Sequence, residues 1–189
     1  MIETVNHLYN HPSICYWTIF NEGWGQFCSQ EMYEKIKSLD DTRVVDTASG
    51  WFAGAESDVE SLHVYFKPFK VKKKYDRPLF LSEFGGYACR IDGHIYNPSN
   101  EYGYKSFKTV GELEDAFVAL YKNEIIPAIA NGLCGTVYTQ VSDVEDETNG
   151  LLTYDRRICK VDQKRIKSLS DELFAAFFGF FLLLLDFLW

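Results

Sequence analysis

Two glutamates, Glu22 and Glu83, each follow an apolar run and are each followed by glycines, in Asn21-Glu22-Gly23-Trp24-Gly25 and Ser82-Glu83-Phe84-Gly85-Gly86. An acid at the end of a rigid strand, with a sharp turn behind it, is placed to face a cleft and suits general acid or nucleophilic work. Two such acids can cleave a glycosidic bond in two displacements. One carboxyl protonates the departing oxygen while the other, about 5–5.5 Å away, attacks the anomeric carbon; the first then deprotonates the water that releases the ester. The acid must start protonated and the nucleophile ionised, so the two positions need different surroundings. A glutamate at a strand end also caps helices and binds arginine, so either residue alone carries little.

The elements that would position these acids are legible in the hydropathy pattern. Ser13–Phe20 reads Ser-Ile-Cys-Tyr-Trp-Thr-Ile-Phe, as a strand buried on both faces does. Ser29–Leu39 has helical spacing through Met32, Tyr33, Ile36 and Leu39, with Glu31, Glu34, Lys35 and Lys37 left for water. Further strands are expected at Arg43–Thr47, Ser61–Tyr65 and Pro78–Ser82, the last the stronger. Ala88–Thr109 is rich in Tyr, Asn, Gly and Pro and reads as an excursion over one face. Val110–Asn131 is the best helix, with Leu113, Phe117, Leu120, Ile125 and Ile129 apolar; Pro127 is placed to kink it or to open a second short helix. Gly132 allows a stop, Gly135–Val141 is a fifth strand, an acidic loop runs over Asp143–Glu147, and Asp162–Phe174 reads as a final helix. That loop is expected to be mostly solvated. Strands alternating with helices, with polar residues after the strand ends, give an α/β fold with its active residues at one end of a parallel sheet. About five strands do not close an eight-stranded barrel by themselves.

Composition narrows the function classes. The chain has 189 residues, 47% hydrophobic and 24% charged, which excludes a disordered composition. Its formal net charge of -8 argues against bulk nucleic-acid binding, and Lys72-Lys73-Lys74 is read as a solvated crossover. The aromatic fraction of 16% suits stacking on flat, partly apolar ligands as well as packing. Cys15, Cys28, Cys89, Cys134 and Cys159 are odd in number and make no close pair, which argues against a disulfide framework or structural zinc. Cys15 and Cys134, inside apolar runs, are expected to be buried small hydrophobes. A metal hydrolase built on Glu22, His63 and Glu83 is disfavoured because no HExxH or His-rich cluster accompanies them, and no cofactor is expected. Met1–His11 is polar, without a signal peptide, which fits a cytoplasmic protein if that terminus is native. The division expected is a catalytic part over 1–172 and an apolar tail over 173–189; the uncharged Leu173–Leu185 is shorter than the roughly 17–25 residues of a spanning helix.

Taken together, the two acidic segments and their surroundings resemble glycoside hydrolase family 2, the family of β-galactosidases and β-glucuronidases. His11-Pro12-Ser13-Ile14, the strand, and Asn21–Gly25 are similar to the family's acid/base segment; Ser82–Gly86 resembles its nucleophile segment. Ser61–Tyr65 is similar to the strand that places a His-x-Tyr pair beside the site, and Gly150–Arg156 to the stretch that closes the domain. The resemblance covers residues 3–172 and implies the second half, strands 4 to 8, of a (β/α)8 barrel. It implies that Glu22 is the acid/base and Glu83 the nucleophile, that Asn21 holds the sugar 2-hydroxyl, that Tyr65 binds the nucleophile or the ring-oxygen region, and that His63 lines the same pocket. Trp24 and Trp51 are candidate stacking or rim residues, and Gln140 stands where many members carry an aromatic that floors the sugar subsite. The implied activity is retaining hydrolysis of a β-galactoside-like or β-glucuronide-like bond, with carbohydrate as partner and no nucleic acid. Self-association, or a barrel half supplied by another chain, is a further partner expectation. The alternative is a catalytically inactive fragment, or a carbohydrate-binding remnant lacking the first barrel strands.

Overall fold

The run after Pro12 forms strand β1 at Tyr16–Asn21 in the computed structural model of the chain, three residues later than its composition predicts. A turn in which Ile14 N donates to His11 O keeps residues 11–14 out of the strand. The structure describes residues 1–186 apart from Trp24, Ala53 and Lys73, with side chains described to residue 178. It divides into two compact units, Met1–His63 with Lys74–Ser82, and Val64–Lys73 with Glu83–Trp189.

In the first unit β1 runs parallel to β2 (Val44–Ser49), with Tyr16 opposite Val44 and Asn21 opposite Ser49. Helix α2 (Ser29–Leu39) crosses between them and matches the expected range. Its one buried residue, Ile36, packs with Val45 and with Val5 of α1 (Ile2–Leu8), and Trp17, Ile19, Tyr33 and Leu39 surround this small core. Burying one such aliphatic side chain is worth about 1.5–3 kcal/mol. Strand β1 is half-buried, not buried on both faces as its composition predicts. Among the described ladders β2 is its one neighbour, so part of its apolar surface is uncovered. Strand β3 (Glu60–Val64) lies beside β4 (Leu79–Gly85), whose first four residues belong to this unit.

The second unit begins β4 at Glu83 and sets strand β7 (Leu133–Thr139) beside it. The excursion after β4 carries a two-residue parallel pair that the sequence does not announce, β5 (Tyr87–Ala88) with β6 (Lys105–Ser106). Helix α3 (Val110–Leu120) starts where predicted because Thr109 and Glu112 form a capping box. The ladder then widens into a π turn at Tyr121–Ile125 before the short helix α4 (Ile126–Ile129). Pro127 stands in the first turn of α4, directly after the π turn. Leu113 and Phe117 meet Cys89, Val161 and Leu169 in this unit's core. Helix α5 (Gln163–Asp186) is longer than the expected Asp162–Phe174 and passes through residue 172 without a break. Among the described residues no helix is long and apolar enough to cross a membrane.

Cys15 and Cys134 are exposed, contrary to expectation; the buried thiol is Cys89. Cys15 and Cys134 stand at strand beginnings, Cys15 just before β1 and Cys134 second in β7, where sheet cover is thin. The protein has an α/β fold with a partial, incompletely closed parallel sheet; no ladder among the described residues closes into a barrel.

Candidate active site

Within the first unit, Glu22 stands at the turn that ends β1. Its N–H donates to Ser49 O at 2.9 Å, one bond beyond the β1–β2 ladder, and its φ of 50° then throws the chain out of the sheet. A non-glycine residue in the left-handed region costs about 1 kcal/mol or more and persists where its surroundings hold it. What holds Glu22 is His63, whose Nδ1 lies 2.7 Å from Glu22 Oε1. The imidazole is buried, and 17% of the glutamate side chain is exposed. On the other side of the ring Nε2 lies 2.8 Å from Ser49 Oγ. An ionised Glu22 pairs with an Nδ1–H tautomer, which leaves Nε2 facing the Ser49 hydroxyl. Gly50, at φ +86°, leaves room for this arrangement, since a Cβ there would lie 2.5 Å from the His63 ring. Behind Ser49 the hydroxyls continue to Ser82 at 3.1 Å and from Ser82 to Ser61 at 2.6 Å. Trp51 is 44% exposed and meets His63 edge-on, with ring centroids 6.3 Å apart. Asn21 closes β1 in an exposed position. Trp24 lies outside the described residues.

Within the second unit, Glu83 is inside β4, not after it, because the strand extends to Gly85. Tyr65, one residue past β3, donates its phenol to Glu83 Oε2 at 2.5 Å. The phenol oxygen is also 3.0 Å from Thr139 Oγ1. A phenol has one proton, so with that proton on Glu83 the threonine hydroxyl is the donor of the second bond. Burial first, and then the bond to Glu83, push the Tyr65 pKa far above its ordinary value, so the group remains a donor throughout the neutral range.

Gln140, next to Thr139, spends its amide group inside the acidic loop. Nε2 donates to Glu147 Oε2 at 2.7 Å and to Asn149 Oδ1 at 2.8 Å. That loop is not the mostly solvated segment its charge predicts. Asp143 is buried against Lys160, which reaches its two oxygens at 2.7 and 2.8 Å and Thr148 O at 2.8 Å. Burial raises the Asp143 pKa, while the Lys160 ammonium pulls the other way. Asp146 accepts from Asn97 at 2.8 Å and Asn100 at 2.6 Å, tying the long excursion to the loop.

The first unit thus brings Glu22, His63 and Trp51 together, and the second brings Glu83 and Tyr65 together. A profile described as "Glycosyl hydrolases family 2, TIM barrel domain" matches residues 1–170. The chain belongs to glycoside hydrolase family 2. A family relative, Beta-galactosidase of Priestia megaterium (strain DSM 319 / IMG 1521), is 31% identical over 136 residues, 68% of this chain. The chain spans 12% of the length of that relative.

Several residues that support the predicted site residues or the acidic loop of this family 2 chain escape a reading of its sequence. Ser49 and Thr139 end β2 and β7, the same strand-end signal that marks Glu22, but a serine or threonine there is too common to single out. Lys160 does leave a trace, as a lone cation between Cys159 and Val161. Tyr104, which stacks on Tyr65 at 3.6 Å between ring centroids, leaves none.

Proposed function

We propose that this protein hydrolyses O-glycosidic bonds by a retaining double displacement, with Glu22 as acid/base and Glu83 as nucleophile. The observation that carries the reading is that each acid has its own polar support: Glu83 accepts from the Tyr65 phenol, and Glu22 meets an imidazole that can donate or accept. A hydrogen bond donated to one oxygen of a carboxylate orients the other for attack, as a nucleophile requires. An imidazole can follow a carboxyl through both protonation states, as an acid/base group requires.

In the first step a Glu83 oxygen attacks the anomeric carbon, the bond to the departing oxygen breaks, and the proton of Glu22 moves to that oxygen. In the second, Glu22 takes a proton from water, the water oxygen attacks the anomeric carbon, and the ester bond to Glu83 breaks. Asn21 binds the sugar 2-hydroxyl, a contact that strengthens in the transition state. Tyr65 supports Glu83 and His63 orients Glu22. Trp24 and Trp51 offer aromatic faces to the sugar, and Gln140, its amide hydrogens committed, offers Oε1 to a hydroxyl. The name of the Priestia relative favours a β-galactoside over a β-glucuronide. Residues 173–189 form a tail outside the catalytic part.

The test is mass spectrometry of the folded chain after exposure to a panel of 2-fluoro glycosides, which trap a retaining nucleophile. A sugar adduct on Glu83, formed with the β-galactoside member, is the expected result. No adduct with any member would overturn the proposal in favour of an inactive fragment or a carbohydrate-binding remnant.

A further inference from the structure

We propose that Tyr104 is a positioning residue for the nucleophile: its ring fixes Tyr65 face to face, and Tyr65 in turn aims Glu83. The inference rests on the reading of Glu83 as nucleophile and adds a residue, from the excursion after β4, with a defined task.

Tyr65 lies just past β3, where the sheet no longer restrains its side chain. The phenol oxygen lies on the Cβ–Cγ axis, so the Cα–Cβ torsion sets where it sits and the ring plane sets where its in-plane proton points. Tyr104 supplies the restraint. The two rings are 3.6 Å apart between centroids and 3° from parallel, so Tyr65 can neither swing about its Cα–Cβ bond nor turn about its Cβ–Cγ bond without breaking the contact. Tyr104 is itself braced edge-on by Phe66 at 5.4 Å and by Tyr102 at 5.5 Å.

The backbone beneath is built for this approach. Tyr104 N donates to Gly86 O at 3.1 Å, and Gly86 sits at φ +61°. A Cβ on Gly86 would lie 2.3 Å from Tyr104 Cδ2, so the ring occupies space that only glycine leaves open. Tyr102 N donates to Asp146 O at 2.7 Å and Tyr102 O accepts from Thr148 N at 3.0 Å, which anchors the segment two residues before the stacked ring. The excursion thus behaves as a brace with its working end on Tyr65. Its aromatic richness, which composition alone reads as ligand stacking or packing, has here a positional use.

The test compares the full chain with Tyr104→Phe, Tyr104→Leu and Tyr104→Ala in two measurements. The first is the rate of Glu83 trapping by the reactive 2-fluoro glycoside, separated into reagent affinity and trapping step. The second is the 19F spectrum of protein labelled with 3-fluorotyrosine, with the Tyr65 resonance assigned through Tyr65→Phe. The phenylalanine variant keeps the stack and is expected to trap within about twofold of the parent, whereas leucine and alanine slow the trapping step about tenfold or more at unchanged affinity. The Tyr65 resonance should stay single and sharp with phenylalanine and broaden or split with leucine and alanine. Parent-like trapping in the leucine variant overturns the proposal, as does a phenylalanine variant as slow as alanine. A parent chain that traps nothing defeats the proposed function instead. The Tyr65 resonance then decides this inference alone, and a sharp line in the leucine variant rejects it.

Discussion

Asp40 is 1% exposed, and the chain surrounds its carboxylate with donors. Trp17 Nε1 lies at 2.9 Å, Thr42 N and Oγ1 at 3.1 and 2.6 Å, and Arg43 NH1 at 2.6 Å. Burial by itself would raise the pKa; the bonds from Thr42, Trp17 and Arg43 outweigh it and hold the carboxyl well below its ordinary range. A group depressed on folding contributes stability that is fully present above its unfolded pKa, near about 4, and lost as pH falls through the native value. Replacing Asp40 by Asn should therefore cost about 3 kcal/mol at neutral pH, because it also strands a partly buried Arg43, and should flatten the acid dependence of stability. Urea unfolding from about pH 7 down to about pH 2 measures both effects. A variant that keeps the parent's slope against pH would refute the assignment.

At the scale of elements, α3 shows how far local chemistry reaches. Thr109 Oγ1 accepts from Glu112 N at 3.2 Å, and Glu112 Oε2 accepts from Thr109 N at 3.3 Å, so the helix start is written in residues three apart. Thr109→Ala should lower stability by about 1 kcal/mol, read as a lower urea midpoint with unchanged slope; an unchanged midpoint would mean that the box contributes nothing. Nothing local announces the π turn at the other end of α3. There Glu124 Oε2 accepts from Phe69 N at 2.6 Å and Tyr121 packs edge-on against Phe84 at 5.6 Å, partners 55 and 37 residues away. Such widened turns cluster where distant contacts must be met, and periodicity cannot foresee them.

For the molecule as a whole, a formal net charge of -8 is accompanied by exposed apolar surface on the last helix. Phe174, Phe177 and Phe178 of α5 are 61%, 48% and 57% exposed. Apolar surface clustered this way promotes association. Sedimentation velocity should show the chain self-associating with rising concentration, and Phe174→Lys with Phe178→Lys should shift it toward monomer. A parent that is monomeric at every concentration would show that these rings are tolerated in water.

The amino-acid sequence by itself determined the α/β alternation, the range of α2 and the start of α3, and its family pattern singled out Glu22 and Glu83 as the acids to propose. Each depends on neighbours a few residues apart, through strand period, helix period, capping or glycine turns, and such short-range physics is legible in one dimension. Tertiary structure alone decided that His63 takes Glu22 on one nitrogen and Ser49 on the other, that Tyr65 takes Glu83 with Thr139 behind it, and that Lys160 buries Asp143. It also overruled the burial expected of Cys15 and Cys134. Those outcomes rest on which strands and loops come to lie side by side, and hydrogen bonds between residues 14 to 74 apart leave no periodic trace along the chain.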